Sequence, residues 1–252
     1  MYVFKVGKLQ IYFAASNEII QKLEKIIQTC KHPCQVVTLN LLIYLQSKFD
    51  LTTKKALENS ELIICDSSWI SLICSIFSLR HLKYLPGVEF INGLCKFAKE
   101  KNYTIFLFGG RENVVKTAAF KLSSEFGVRI VGFHHGYIFD SAENMVVERI
   151  NKCVPDILLV GLPTELQESW IYKNINNLRC KLILGVGGSF DIISGRLRRA
   201  PKLFRKLRLE WYYRTLQEPW RIVRILKLPL AFSVFFFDCL ISIFESRKRA
   251  LS

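Results

Sequence analysis

A chain of 252 residues with 36 Lys and Arg against 21 Asp and Glu carries a formal charge of +15, and half of its residues are apolar. That length allows one large domain or two small ones with a full core, and the composition excludes a disordered tail protein. No uncharged apolar run reaches 18 residues, which argues against an ordinary transmembrane helix. The charge leaves two partner classes open, nucleic acid and an anionic membrane surface.

In chain order, the first thirty residues read as a hairpin-like start followed by a helix capped at Ser16. From about residue 34 to 188, short apolar runs alternate with segments of helical period. The runs 34–38, 62–65, 104–108, 128–133, 156–160 and 181–186 are hydrophobic nearly throughout, as strands covered on both faces should be. Between them, Ile91, Leu94, Cys95 and Ala98 repeat at helical spacing, as do Val114, Val115, Ala118, Ala119 and Leu122. The pattern predicts an α/β fold: a Rossmann-like, mostly parallel sheet with helices on both faces.

Beyond Gly195 the texture changes. Residues 196–252 hold 14 basic and 4 acidic residues, against 22 and 17 in residues 1–195. The boundary therefore predicts a catalytic-type α/β domain over 1–195 and a basic helical C-terminal appendage over 196–252. One helix is expected over 201–216, with Leu203, Phe204, Leu207 and Trp211 on one side and Lys202, Arg205 and Lys206 on another. Glu218-Pro219 restarts the chain, and Arg221 and Arg224 then share a face.

The segment 230–244 is the most apolar in the protein. At 15 residues it spans only about 22 Å as a helix, short of the ~30 Å hydrocarbon core. Asp238, Ser242 and Glu245 form one narrow polar stripe. Basic residues flank the segment, Arg221, Arg224 and Lys227 before it and Arg247, Lys248 and Arg249 after it. A helix lying in the membrane interface fits this pattern; a helix docked on the domain or on a partner subunit is the alternative.

The eight cysteines are scattered, with no C-x-x-C pair, and several sit in apolar runs, so they read as buried reduced thiols. The N-terminus has no signal-peptide pattern. A cytoplasmic protein is expected.

Candidate chemistry gathers where strands end. Gly109-Gly110 follows one strand and Gly185-Val186-Gly187-Gly188 another, and either turn can aim backbone N–H groups at an anion at the C-terminal edge of a parallel sheet. Asp66 ends the run 62–65, where a carboxylate can act as a general base or cap the next helix. Thr38 and Asn40 end the preceding strand at the same edge, with capping again the alternative. His134 and His135 are adjacent on a strand and should point to opposite faces, and no third ligand stands at metal spacing. The Walker loop, the dinucleotide fingerprint and the nucleophile elbow are all absent.

Taken in order, the motifs resemble one family. They include Thr38-x-Asn40, Asp66, Pro86-Gly87, Phe106-Leu107-Phe108-Gly109-Gly110 and Gly132-x-His134-x-Gly136-Tyr137. They continue through Pro155-Asp156 to Gly161-Leu162, Gln167-Glu168-x-Trp170 and Gly185-Val186-Gly187-Gly188-x-Phe190-Asp191. Gly195-Arg196-x-x-Arg199-Ala200-Pro201 and Leu209-Glu210-Trp211-x-x-Arg214-x-x-Gln217-Glu218-Pro219 complete the set. From about residue 34 to 225 the chain is similar to the WecG/TagA/CpsF family of bacterial glycosyltransferases.

The resemblance implies an inverting, metal-independent enzyme with no cofactor beyond its donor substrate. It would move an N-acetylmannosamine-type sugar from a UDP-sugar to a polyprenyl-diphosphate-linked acceptor in surface polysaccharide synthesis. It would work on the inner face of the plasma membrane as a peripheral protein, with homo-oligomerisation left open. By the same resemblance Asp66 is the base, Thr38, Asn40 and Gln167 belong to the sugar pocket, and Arg214, Arg221 and Arg224 reach the diphosphate. Glycines 109, 110, 187 and 188 stand as substrate-binding turns. The chain departs from the family at Asp66-Ser67-Ser68-Trp69, where Asp-Gly-x-Gly is usual, and at Pro163. A nucleic-acid-binding protein and a membrane-bound member without catalysis are the competing readings.

Overall fold

The structure, a computed structural model, describes residues 1–137 and 143–251, with backbone alone at 246, 247 and 249–251. A hairpin of β1 (Tyr2–Val6) and β2 (Leu9–Phe13) turns at Gly7, whose positive φ of 55° suits glycine. Six more strands follow: β3 (Cys34–Leu39), β4 (Leu62–Cys65), β5 (Thr104–Gly109), β6 (Arg129–His134), β7 (Ile157–Gly161) and β8 (Leu182–Gly185). They join the hairpin in one eight-stranded sheet of order β1-β2-β4-β3-β8-β7-β5-β6. Only the hairpin pair is antiparallel. The six apolar runs are the six parallel strands, each within two residues of its expected ends.

Alternation along the strands builds a layer on each face. One face carries Val36, Ile64, Ile105 and Leu107 against α1 (Ser16–Thr29), α5 (Gly87–Glu100) and α6 (Glu112–Phe126). On the other face, Val37, Leu39 and Ile63 pack against α2 (Leu41–Phe49), α3 (Leu51–Glu58) and α4 (Ser68–Ser78). Further along that face, Phe106, Phe108 and Leu158 meet α7 (Glu143–Cys153) and α8 (Thr164–Asn174). Phe106 and Phe108 are fully buried, and such side chains contribute roughly 1.5–3 kcal/mol each.

The C-terminal part begins with α9 (Ser189–Ser194), then α10 (Lys202–Lys206), α11 (Glu210–Gln217), α12 (Ile222–Leu226) and α13 (Leu228–Leu251). Two expectations change here and at the N-terminus. The first helix is capped at Ala15, not Ser16, and the Glu18 carboxylate accepts from the Ala15 N–H at 3.0 Å. The helix expected over 201–216 is two, because Arg208 takes a left-handed φ of 61° between α10 and α11. Of the polar stripe of α13, Asp238 and Ser242 bond to the rest of the protein, while Glu245 is exposed. Asp238 accepts from the Tyr44 hydroxyl at 2.6 Å and pairs with Lys48 at 2.7 Å, and Ser242 accepts from the Gly7 N–H.

Ala231, Phe235 and Cys239 are fully buried on that same side, against α2 and α4. The opposite side leaves Leu230, Phe237, Ile241 and Phe244 more than half exposed. By length and composition alone the 27-residue helical stretch Pro219–Glu245 is sufficient to cross a membrane, although no uninterrupted apolar run is. The side chains of Arg247 and Arg249, part of the expected basic flank, lie outside the described residues.

Candidate active site at the strand edge

The sheet order reverses direction between β3 and β8, and a cavity of about 640 Å³ opens over their C-terminal ends. This is where a doubly wound sheet leaves a crevice. Thr38, Asn40, Asp66, Gly110, Gln167, Gly187, Gly188, Arg214, Arg221 and Arg224 all line it. Gly109 is the one expected residue that does not.

Asp66 is not a helix cap. Ser67 takes that role for α4, its hydroxyl accepting from the Ile70 N–H at 3.3 Å. The Asp66 carboxylate instead accepts from the Gly87 N–H at 2.9 Å, at the start of α5. Burial pushes its pKa up to about 7; the Gly87 bond and Arg214 oppose the rise, and the Glu210 carboxylate adds to it. A carboxylate near neutrality at a cavity floor is suited to accept a proton.

The neighbouring polar groups mostly hold the pocket wall together. Thr38 donates to the Gly185 carbonyl at 2.8 Å, tying β3 to the end of β8. Asn40 caps α2, accepting from Leu42 and Ile43. Gln167 is buried and accepts from the Gly187 N–H at 2.7 Å, while its amide donates to Glu168 at 2.7 Å. Glu168 also accepts from Gln35 at 2.8 Å, and burial raises its pKa to about 7. A buried carboxyl thus fixes which way the Gln167 amide points, and Gln167 in turn fixes the glycine turn.

The glycine turns differ from expectation. The Gly110 N–H is taken by the Gly161 carbonyl at 3.0 Å and the Gly187 N–H by Gln167, so neither aims at a ligand. Gly109 has a φ of 134°, and a Cβ there would strike the Gly161 backbone. Its role is close strand packing. Gly188 matters for the opposite wall, since a Cβ on it would lie 2.7 Å from the Arg214 guanidinium.

With the Gly110 and Gly187 donors occupied, the cavity's positive charge comes from the C-terminal segment. Arg214 donates to the Gly188 carbonyl at 2.9 Å and leaves its buried Nε without a partner. Burial, and the neighbouring Arg221, hold its pKa below the usual guanidinium range. Arg221 donates to Glu218 at 2.5 Å, and Arg196 reaches the other oxygen of the same carboxylate and Asp191. Arg224 pairs with Glu165 at 3.3 Å. Glu210, Trp211, Arg198, Arg199 and Arg208 also line the cavity. Their signal was the charge of the 196–252 segment, but sequence alone did not say which of its cations turn inward.

His134 and His135 do not point to opposite faces. Their ring centroids lie 4.4 Å apart, because β6 ends at His134 and the chain turns. Among the described residues, His32, Cys34 and Glu61 bring ligand-type atoms within 4.8 Å of one another. That group stands at the other end of β3 from the cavity, and sequence spacing did not suggest it.

A family model described as "Glycosyl transferase WecG/TagA/CpsF family" matches residues 4–249. The chain belongs to that family. Among curated relatives, it is 36% identical over 146 residues to a Staphylococcus aureus protein named N-acetylglucosaminyldiphosphoundecaprenol N-acetyl-beta-D-mannosaminyltransferase. It is 34% identical over 175 residues to a Bacillus subtilis protein of the same name. The matched stretches cover 58% of this chain and 57% of the first relative, and 69% of this chain and 67% of the second.

Proposed function

We propose that this chain transfers an N-acetylmannosamine-type sugar from a UDP donor to the sugar of a polyprenyl-diphosphate-linked acceptor, with inversion at the anomeric carbon. Asp66 accepts the proton of the acceptor hydroxyl as its oxygen bonds to the donor's anomeric carbon and the bond to UDP breaks. The charge that builds on the departing UDP is met by Arg214, Arg221 and Arg224, whose planar forks suit phosphate oxygens. No metal or cofactor is assigned a role. The observation that carries this reading is one cavity in which the Asp66 carboxyl, held by the Gly87 N–H, shares the wall with a guanidinium, that of Arg214, whose buried Nε is unpartnered. The names of the relatives supply the sugar and lipid classes.

The protein works peripherally on the anionic inner face of the plasma membrane. Leu207, Trp220, Val223, Leu226 and Phe237 are each more than half exposed along the most basic part of the chain. That mixture of apolar and basic surface suits a bilayer headgroup region better than nucleic acid. The test is release of UDP from UDP-N-acetylmannosamine with a defined N-acetylglucosaminyl polyprenyl diphosphate, with and without a chelator. Release that depends on the acceptor and persists with the chelator is expected; release that ignores the acceptor refutes the reading.

A further inference from the structure

A second cavity of about 160 Å³ adjoins the first, and nothing in the transfer chemistry accounts for it. It runs between α2 and the junction of α12 with α13. Leu42, Thr164 and Arg224 line both cavities, so the two share a wall. Beyond that shared rim the walls are Leu45, Phe49 and Leu230, with the polar Gln46, Glu165 and Lys227 between them. Phe49 is 76% exposed and Leu230 52%, so two large apolar side chains line the groove where it opens to the surface. The cations Arg224 and Lys227 stand at the junction, and the apolar walls lead away from it.

This order of chemistry along one path, a guanidinium cavity, then two cations, then an apolar groove, mirrors one class of ligand. A diphosphate esterified to a long isoprenoid chain carries charge and hydrocarbon in direct succession. We infer that the α2/α12–α13 groove takes the first isoprene units of the lipid-linked acceptor, leading the chain from the catalytic cavity towards the exposed apolar face of α13. The inference rests on the proposed transferase reading. Arg224 crosses the shared rim to Glu165, and an exposed pair of this kind is held weakly enough to yield to a phosphate.

The experiment compares two acceptors in detergent solution, where membrane binding plays no part. One is an N-acetylglucosaminyl diphosphate on a long polyprenol; the other carries the same head on a short soluble alkyl group. The readout is the ratio of kcat/KM for the long acceptor to that for the short one. In Phe49→Asp and Leu230→Asp, both at exposed positions that folding tolerates, the ratio should fall about tenfold through KM, as loss of apolar contact predicts. An unchanged ratio in both variants overturns the groove, as does an equal loss with both acceptors. If the wild-type protein turns over neither acceptor, the transferase reading itself fails, which is a separate result.

Discussion

Asp66 and the arginines that face it are held in place by different means. Asp66 follows β4, all four of whose residues are buried, and it is bonded to the start of another core helix. Helices α10, α11 and α12 place no side chain in the apolar core. They are held by polar links instead. Glu218 is buried between Arg196 and Arg221, Arg199 pairs with Glu89, and Arg208 donates to the Ser68 carbonyl. Only α13, further on, rejoins the core. Asp66, the proposed base, is therefore fixed by packing, Arg221 and Arg224 by ion pairs, and Arg214 by a bond to the Gly188 carbonyl. Segments with little buried apolar area open at lower free energy than the core.

The strongest way to break this contrast is to remove the base. Asp66→Asn keeps an acceptor for the Gly87 N–H and should leave the fold intact, yet turnover should fall by about 10²–10⁴. Steady-state UDP release beside a thermal melt reads both. Full activity with an unchanged melt would take Asp66 out of the mechanism. On the other side of the cavity, Arg214→Ala should cost about 10²-fold in kcat, since it removes a preorganised charge from a buried position. Arg224→Ala should cost about tenfold or less, because Arg224 is exposed and already shares its charge with Glu165. Equal losses would mean that depth in the cavity does not rank the two cations.

A pH profile joins the two regions. Asp66 must be ionised to accept a proton, so kcat/KM should rise through about pH 7. Glu210 comes from α11 and its charge opposes ionisation of Asp66, after the larger effect of burial. Glu210→Gln should therefore move the limb to lower pH. A limb that stays in place would show that the core alone sets the base.

Glu218 tests the polar anchoring directly. Burial works against its charge, but the Arg196 bond and the Arg221 charge outweigh this and hold its pKa below the usual range. Glu218→Gln should expose residues 201–226 to limited proteolysis and lower turnover severalfold. Because the core does not depend on this contact, the melting midpoint should move by no more than about 2–4 °C. A large drop in midpoint with no new cleavage would mean that the segment unfolds together with the core.

The same contrast explains what could be read from sequence. The strands were legible because most are short runs that are apolar nearly throughout, and the position of Asp66 followed from where its strand ended. Ser67 as the cap was not legible, since Asp and Ser are both good caps and stand side by side. The glycine turns suggested free N–H groups, but Gly161 and Gln167 are far away in sequence and occupy them. The stripe of Asp238 and Ser242 was legible as a polar line on an apolar helix, but what it bonds to was not. Its partners, Tyr44, Lys48 and Gly7, lie almost two hundred residues or more away, beyond the reach of helical periodicity.

Glu168 should show the smallest effect on turnover and belongs wholly to the core side. Its pKa is raised from 4.5 to about 7 by burial, so between those values the folded protein binds more protons than the unfolded chain. The sign follows: this group's contribution to stability is complete below about pH 4.5 and is lost as pH rises through 7. Glu168→Gln removes the titration. Its oxygen can still accept from Gln167, and its new amide can face Gln35 once that side chain turns over. Turnover should stay within about twofold. Urea unfolding at pH 5 and pH 8 should show a smaller fall in stability for the variant than for the wild-type protein. Glu168→Leu, by contrast, leaves two buried amide donors without acceptors and should cost about 1–3 kcal/mol for each. If Glu168→Gln falls with pH as steeply as the wild-type protein, Glu168 is already ionised in the fold, and Gln167 is oriented by a carboxylate rather than by a neutral acid.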